Sequence, residues 1–424
     1  DDTDMSVCVA QAAAKGLALD SPEGLRAVAE GFLGWYADKP PDIGNQTRAV
    51  LSATTDPDRL AEAAAAYQKA NADAAGNGSL MRTGPVALAH LGDDEGLARA
   101  ARAVSSLTHP HHLAGDACVL WCVAIDRAVR EGRLDGIWEG LSLLPPERRG
   151  FWEETITTAE TAPIESLRTM GYVVTSLQAA HRAITSTAHI EGAARLEAAL
   201  RQAVGIGGDT DTVAAITGAL IGARYGASAV PFPWRRHLGG WPPELGHRDL
   251  VGIGILAVSH GDDDSIGWPD ADDLMPYYER SWRPQGLAVE LPDHRGVIWG
   301  YIAALAGTNA QAYVSLCRIG KGQRRGVEHH EVWLMDGPDN ADTGFVLRDT
   351  ADAVERLRRD HGSVFVHCVR AESRTPAVAV AWLMRHRGMD FDGALAAVRS
   401  ALLDCNPNPA MLEALGSVIH AHGS

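Results

Sequence analysis

Aromatic residues make up only 6% of this 424-residue chain, cysteines number six, and Lys plus Arg (38) are outnumbered by Asp plus Glu (54). Each shortage closes off a class of explanation. The cysteines, at 8, 118, 122, 317, 368 and 405, are too sparse for a disulfide scaffold and lack the clustered pairs of a structural zinc site. Cys118 and Cys122 share an alanine-rich stretch, where two small buried helix residues account for them more simply than a soft-metal pair. A formal charge of -16 argues against broad nucleic-acid binding, while leaving room for a local basic pocket that holds a phosphate-bearing ligand. No apolar run is long enough to span a bilayer. The opening Asp1-Asp2-Thr3-Asp4 lacks the basic and apolar regions of a signal peptide, so no membrane partner is expected and the cytoplasm is the expected compartment.

What is present points to a packed, soluble protein: 46% hydrophobic and 22% charged residues. The length exceeds what one hydrophobic core usually supports, so two domains are expected. Residues 1–257 are predicted to be helical, since Ala, Leu, Glu and Arg dominate, as at 60–69 and 192–200. Residues 40–45 read as a loop and 52–58 as a polar turn. A last helix is expected over 248–260, then a linker over 258–284 that opens on the acids and breakers of 261–270. From 285 to 424 the texture is mixed. Strands are predicted at 312–318, 328–334 and 362–366, with helices at 350–360 and 376–384.

Polar insertions carry the chemistry. In the helical part Asp1 and Asp2 open a helix, Gly76-Asn77-Gly78-Ser79 allows close backbone approach to a ligand, and Thr108-His109 precedes His111 and His112. Adjacent histidines cannot all point one way, so a metal held by those three is a weak reading beside a helix-entry loop. Asp209 and Asp211 flank Thr210 at the mouth of an apolar helix, with Thr212 adding a hydroxyl. One helix start needs one cap, and this set exceeds it. Hard oxygen donors without His or Cys suit Mg²⁺ or Mn²⁺ rather than zinc.

In the C-terminal part the grammar is strand, tight loop, helix around His367-Cys368-Val369-Arg370-Ala371-Glu372-Ser373-Arg374-Thr375. Backbone N–H groups of such a loop and of the helix start converge on an anion, which stabilises a thiolate at Cys368 and makes it a nucleophile. Arg374 can fork onto two oxygens of one phosphoryl group. Phosphoryl transfer to sulfur needs a proton donor opposite. The acidic loop with Asp336, Asp339 and Asp342 offers one, and its position after a strand favours Asp336.

These motifs carry two resemblances. The Asp1-Asp2-Thr3-Asp4-Met5, Gly76-Asn77-Gly78-Ser79-Leu80-Met81-Arg82, Thr108-His109, Gly171-Tyr172-Val173 and Gly207-Gly208-Asp209-Thr210-Asp211-Thr212 segments, in that order, are similar to motifs of the ADP-ribosylglycohydrolases. That resemblance implies an all-α fold with a two-metal centre, magnesium or sometimes manganese, that cleaves the glycosidic bond at the ADP-ribose C1″. Asp1, Asp2, Asp209, Asp211 and Thr212 would be the metal ligands, and Gly76, Asn77, Gly78, Ser79, His109, Gly171 and Tyr172 would meet the substrate. The family places a threonine ligand before the position of Asp1, and ahead of it a helix and a glycine-rich acidic loop. None of these is in this sequence, so an N-terminal part of the domain is expected to be missing.

The second resemblance, over about 285–420, is to the dual-specificity branch of the cysteine-dependent protein phosphatases, whose H-C-x5-R-[ST] signature matches His367 to Thr375. It implies an α/β fold in which Cys368 attacks phosphorus, Arg374 holds the equatorial oxygens, Asp336 is the general acid and Thr375 eases departure of the cysteine. Asn406-Pro407-Asn408 is similar to a polar turn late in that fold. The family usually has glycine where this chain has Ala371, so strain is expected if that position needs φ > 0.

The expected protein is thus a multidomain hydrolase, an all-α glycohydrolase-like domain (1–257) followed by an α/β phosphatase-like domain (285–424). Its expected partners are an ADP-ribosylated protein or small ADP-ribose-containing ligand and an unidentified phosphorylated substrate. Two alternatives stand beside it: a phosphatase with an inactive helical half, and a protein that binds ADP-ribose or phosphate without turnover.

Overall fold

A computed structural model describes residues 1–281 and 287–418, and the expected domain junction at 284/285 lies outside them. Among the described residues the chain divides into two compact units, one of Asp1–Arg224 with Leu238–Asp262, the other of Tyr225–His237 with Asp263–Ser424. No helix among them is long and apolar enough to cross a membrane.

The first unit is helical apart from the short antiparallel pair β1 (Gly239–Gly240) and β2 (Leu245–Gly246). Its central element is the His112–Glu131 helix, buried at every position from Ala114 to Ala128. Small residues make this feasible, since Ala, Cys and Gly let neighbouring helices approach closely. The buried carboxylate of Asp116 on that helix is satisfied by Arg148, at 2.6 and 3.0 Å. The helix stops at Gly132, whose φ of 71° is a left-handed cap. Cys118 and Cys122 both lie buried on it; Cys122 meets Thr83 Oγ1 at 3.1 Å and Cys118 meets Ser79 Oγ at 3.6 Å, so they belong to the packing. The Asp2–Ala14 helix packs against the helices Pro22–Ala37, Gly84–Ala89 and His247–Val258.

The second unit is built on a five-stranded sheet: β3 (Ala288–Leu291), β4 (His294–Tyr301), β5 (Ala312–Ser315), β6 (Glu328–Glu331) and β7 (Val364–Cys368). The order is β3-β4-β7-β5-β6, antiparallel only between β3 and β4. The sequence reading missed β3 and β4. Their turn, Pro292-Asp293 with Asp293 at φ 61°, and the alternately buried Val297, Trp299 and Tyr301 form a hairpin signal that the surrounding polar residues dilute. The predicted strands at 312–318 and 328–334 stop at Ser315 and Glu331, and the helix expected from 350 already starts at Thr343, where the Asp342 side chain accepts the Phe345 amide. β7, fully buried between parallel neighbours, carries Cys368 at its carboxyl end, where ligands bind in sheets of this kind.

The Tyr225–His237 segment is integral to this unit. Phe232 joins its apolar core, and Asp349 takes the Phe232 amide at 2.7 Å and the Arg235 guanidinium at 3.0 Å. On the Thr343–His361 helix, Glu355 receives Arg358, Arg359, Arg387 and the Trp382 indole. Burial works to raise its pKa, but hydrogen bonds from Arg358 and Arg359 and the charge of Arg387 hold it down at about 2. A carboxyl depressed on folding stabilises above its unfolded pKa near 4.5, and the gain fades as pH falls toward 2. Glu355→Gln should therefore cost roughly 2 kcal/mol at neutral pH, with the difference from wild type shrinking below about pH 4 in urea titrations.

Candidate functional sites

In the first unit a cavity of about 630 Å³ is walled by residues far apart in the chain: Asp1, Gly76, Asn77, Gly78, His109, Gly171, Asp209, Asp211 and Thr212 among them. The opening aspartates thus lie at the Gly-Gly-Asp turn. Asp1 Oδ2 accepts the Gly44 amide at 3.1 Å, and a side-chain hydrogen bond joins Asp2 to Thr212. Asp2 is 9% exposed, and its buried Oδ1 has no hydrogen-bond partner. Burial foremost, with Asp211 nearby, holds its carboxyl above the usual range. An orphaned acidic oxygen beside further carboxylates and a hydroxyl is a donor set that fits a hard divalent cation. Among the described residues, however, no group of three or more His, Cys, Asp or Glu side chains is gathered as a metal-binding cluster.

The wall is shaped by backbone. Gly207 and Gly208 sit at φ 82° and 83°, and a Cβ on Gly208 would stand 2.1 Å from the Thr169 carbonyl oxygen. This close approach lets the Asp209 amide donate to Thr169 at 3.0 Å, which fixes where the carboxylate starts. Asn77 then clamps it: Nδ2 donates to Asp209 Oδ2 at 2.7 Å and to Ser176 Oγ at 3.0 Å, while the Asn77 amide bonds Gly171 O at 2.9 Å. Gly78 has to be glycine because a Cβ there would press within 2.7 Å of the His109 ring. Burial drives the His109 pKa down to about 3, so the ring is neutral, with Nδ1 at 2.7 Å from Thr108 Oγ1.

Some expected site residues lie off this wall. Ser79 is buried and bonded to Ser105 at 2.9 Å, and Tyr172 is 45% exposed and pairs with Gly76 through the backbone. His111 caps the helix that follows by accepting the Leu113 amide, and stacks on His112, so the three histidines do not converge. Sequence reasoning left out Asp42, Gly44, Asn45, Gln46, Thr47 and Met170, which also line the cavity. Their polar run in an alanine-rich chain was the available signal.

In the second unit Cys368 ends β7 at 2% exposure, and the loop to Ser373 leads into the Arg374–Arg387 helix. Arg374 Nη1 is held by the carbonyls of Leu316 (2.8 Å) and Leu334 (3.4 Å). Its Nε is buried without a hydrogen-bond partner, 3.6 Å from Asp336 Oδ2. The Thr375 hydroxyl is likewise buried and unpartnered. A guanidinium Nε and a threonine hydroxyl that lack hydrogen-bond partners, at the end of the loop that begins at Cys368, are suited to a phosphoryl group and a leaving thiolate. His367, unassigned by sequence reasoning beyond the signature, is neutral because burial lowers its pKa to about 3, and its Nε2 lies 2.7 Å from Ser315 Oγ.

Ala371 is fully buried at φ 46°, the left-handed region that the sequence comparison with glycine anticipated. A non-glycine residue there costs roughly 1 kcal/mol. Ala371→Gly should recover about that much in chemical denaturation and should not lower phosphate monoester turnover.

Residues 1–260 match the family model described as ADP-ribosylglycohydrolase, and 308–418 the model described as dual specificity phosphatase, catalytic domain. The chain is 28% identical over 242 residues to an ADP-ribosyl-[dinitrogen reductase] glycohydrolase of Rhodospirillum rubrum, covering 55% of this chain and 71% of that protein. It is 40% identical over 96 residues to dual specificity phosphatase 28 of Mus musculus, covering 22% of this chain and 58% of that one. A solved structure titled ADP-ribosylglycohydrolase-related protein complex aligns at 26% identity and a TM-score of 0.46, over 61% of this chain and 80% of that one. Both modules therefore resemble hydrolases, and by the model that spans its first 260 residues the chain belongs to the ADP-ribosylglycohydrolase family, with a dual-specificity-phosphatase-like module fused behind.

Proposed function

We propose that the chain is a bifunctional hydrolase: a magnesium-dependent enzyme that removes ADP-ribose in the first unit, and a cysteine-dependent phosphate monoesterase in the second. The observation that carries the first half is that Asp1, Asp209, Asp211 and Thr212 line one cavity while Asp2 bonds Thr212 with its Oδ1 left unsatisfied. Those five residues would hold two Mg²⁺, with Mn²⁺ as the alternative ion. Bound there, the ions would supply Lewis-acid polarisation next to the C1″ linkage. Asn77 holds Asp209 in place, and neutral His109 offers its free ring nitrogen to the ligand. Calorimetric titration with MgCl₂ should show saturable binding that Asp2→Asn weakens by tenfold or more, about 1.4 kcal/mol; no heat at millimolar Mg²⁺ would sink the metal reading.

In the second unit Cys368 Sγ forms a bond to phosphorus as the bond to the leaving oxygen breaks, and that oxygen takes a proton from Asp336. Water then attacks phosphorus, yields its proton to Asp336, and the S–P bond breaks to release inorganic phosphate. Arg374 Nε faces the equatorial oxygens throughout, and Thr375 Oγ1 is placed to stabilise the departing thiolate. That no three acids, histidines or cysteines among the described residues stand close enough to form a metal cluster favours one second reading, a phosphatase whose helical half does not turn over. Magnesium-dependent release of ADP-ribose from an ADP-ribosylated protein separates the two.

A further inference from the structure

The loop that carries Asp336 leaves the sheet from the end of β6, which is an edge strand, so the way that strand is held decides where the proposed general acid stands. Past Glu331 the chain turns tightly, the Leu334 amide donating to Val332 O at 2.9 Å, and Asp336 follows. Asn408 Nδ2 donates to Asp336 Oδ1 at 2.6 Å, a contact with the carboxyl itself and not with the strand behind it.

The strand is gripped by Tyr225–His237, a segment that precedes the stretch matching the phosphatase family. Its contacts run in reverse order along β6. Ser228 Oγ donates to Trp333 O at 3.0 Å, just past the end of the strand. In the middle the Phe232 ring meets the His330 ring edge to face, with 4.8 Å between centroids. At the start Arg236 forks onto Glu328, its Nε and Nη2 lying 2.7 and 2.8 Å from the two carboxylate oxygens. The segment therefore lies antiparallel to β6 and covers an edge that would otherwise be bare. It is fixed in turn to the Thr343–His361 helix, through Asp349 and through Arg236 Nη1 on Asp360 at 2.7 Å. Phe232 also shares one apolar cluster with Val332 and Leu334, the two buried residues of the turn.

We infer that Tyr225–His237 is a strap that positions the general acid of the phosphatase, with Ser228 as the positioning residue: by holding Trp333 it sets the direction in which the chain leaves β6 toward Asp336. The bonds made and broken are those of the phosphatase step above. A strand end held at one carbonyl presents the acid in fewer orientations before substrate arrives, which is what preorganisation contributes. Arg374 does not depend on the same contact, because its shorter bond goes to Leu316 O at 2.8 Å, while Leu334 O lies at 3.4 Å. Removing the Ser228 hydroxyl thus separates the acid from the arginine. This inference rests on the phosphatase reading.

The test uses the full chain and two substrates. Phenyl phosphate expels a poor leaving group and needs the proton; dinitrophenyl phosphate expels a stable phenolate and does not. Ser228→Ala should lower kcat on phenyl phosphate by about fivefold with KM little changed, and change kcat on dinitrophenyl phosphate less than about twofold. Ser228→Thr keeps the hydroxyl and should stay within about twofold of wild type on both. Adding Arg236→Gln to Ser228→Ala, which loosens the other end of the strap, should deepen the loss on phenyl phosphate to about tenfold or more. In an Asp336→Asn background Ser228→Ala should have no further effect. Equal loss on both substrates, no loss on phenyl phosphate, or a threonine variant as impaired as the alanine one overturns the inference while leaving the phosphatase reading intact. Wild-type turnover that survives Cys368→Ser, or no wild-type turnover of either substrate, overturns that reading and the inference with it.

Discussion

Cys368→Ser should abolish hydrolysis of phosphate monoesters, a fall of roughly 10⁴-fold or more, while circular dichroism and the unfolding midpoint stay close to wild type. The hydroxyl is nearly isosteric but is not a nucleophile in this setting, and the backbone loop that would cradle the anion is untouched. The variant should therefore still bind inorganic vanadate or phosphate through Arg374 and the loop amides. Arg374→Lys is expected to fail on both counts. A lysine keeps the charge but loses the fork, and it also leaves the carbonyls of Leu316 and Leu334, which Arg374 now satisfies, without their donor. Turnover by Cys368→Ser at even a tenth of the wild-type rate would mean that the sulfur is not the attacking atom.

Asp211→Asn should cut magnesium-dependent release of ADP-ribose by about 100-fold or more, since several kcal/mol of charge stabilisation go with one carboxylate. Asp211 is an exposed residue on the cavity wall at the start of its helix, so its loss should hardly touch stability. Asp2→Asn makes a useful contrast. Burying an amide where a carboxylate with an orphaned oxygen now sits should leave the helical unit as stable as before or more so in the absence of metal, because the penalty of a buried charge is removed. A variant that gains stability while losing ADP-ribose release has had a functional charge removed; one that loses both has only been damaged. Monoester hydrolysis, the activity proposed for the second unit, would serve as the internal control in each case.

The two modules were legible in different degrees. The strand, loop and helix around Cys368 could be read from sequence, because Cys368, Arg374 and Thr375 lie in one continuous stretch and the strand and helix on either side have clear hydrophobic patterns. Even the Ala371 strain followed from one position in a local motif. Asp336 required a choice among three nearby aspartates, and Asn408, which holds it, was visible only as part of a polar turn. The helical site was legible as a set of fragments. Gly-Asn-Gly and Gly-Gly-Asp are unusual in an alanine-rich chain, but nothing in either states that Asn77 will hold Asp209, or that Gly78 is there to make room for His109.

The sequence by itself determined the helical and α/β characters of the two parts and the place of the Cys368 loop between a strand and a helix, because periodicity, glycine placement and motif spacing act over a few residues. The tertiary structure alone decided that Asp2 is buried with an unsatisfied oxygen beside Thr212, that Asn408 reaches Asp336, and that Tyr225–His237 belongs to the second unit. Those outcomes depend on which distant surfaces exclude water together, and a side chain's burial and partners are properties of that packing rather than of its neighbours along the chain.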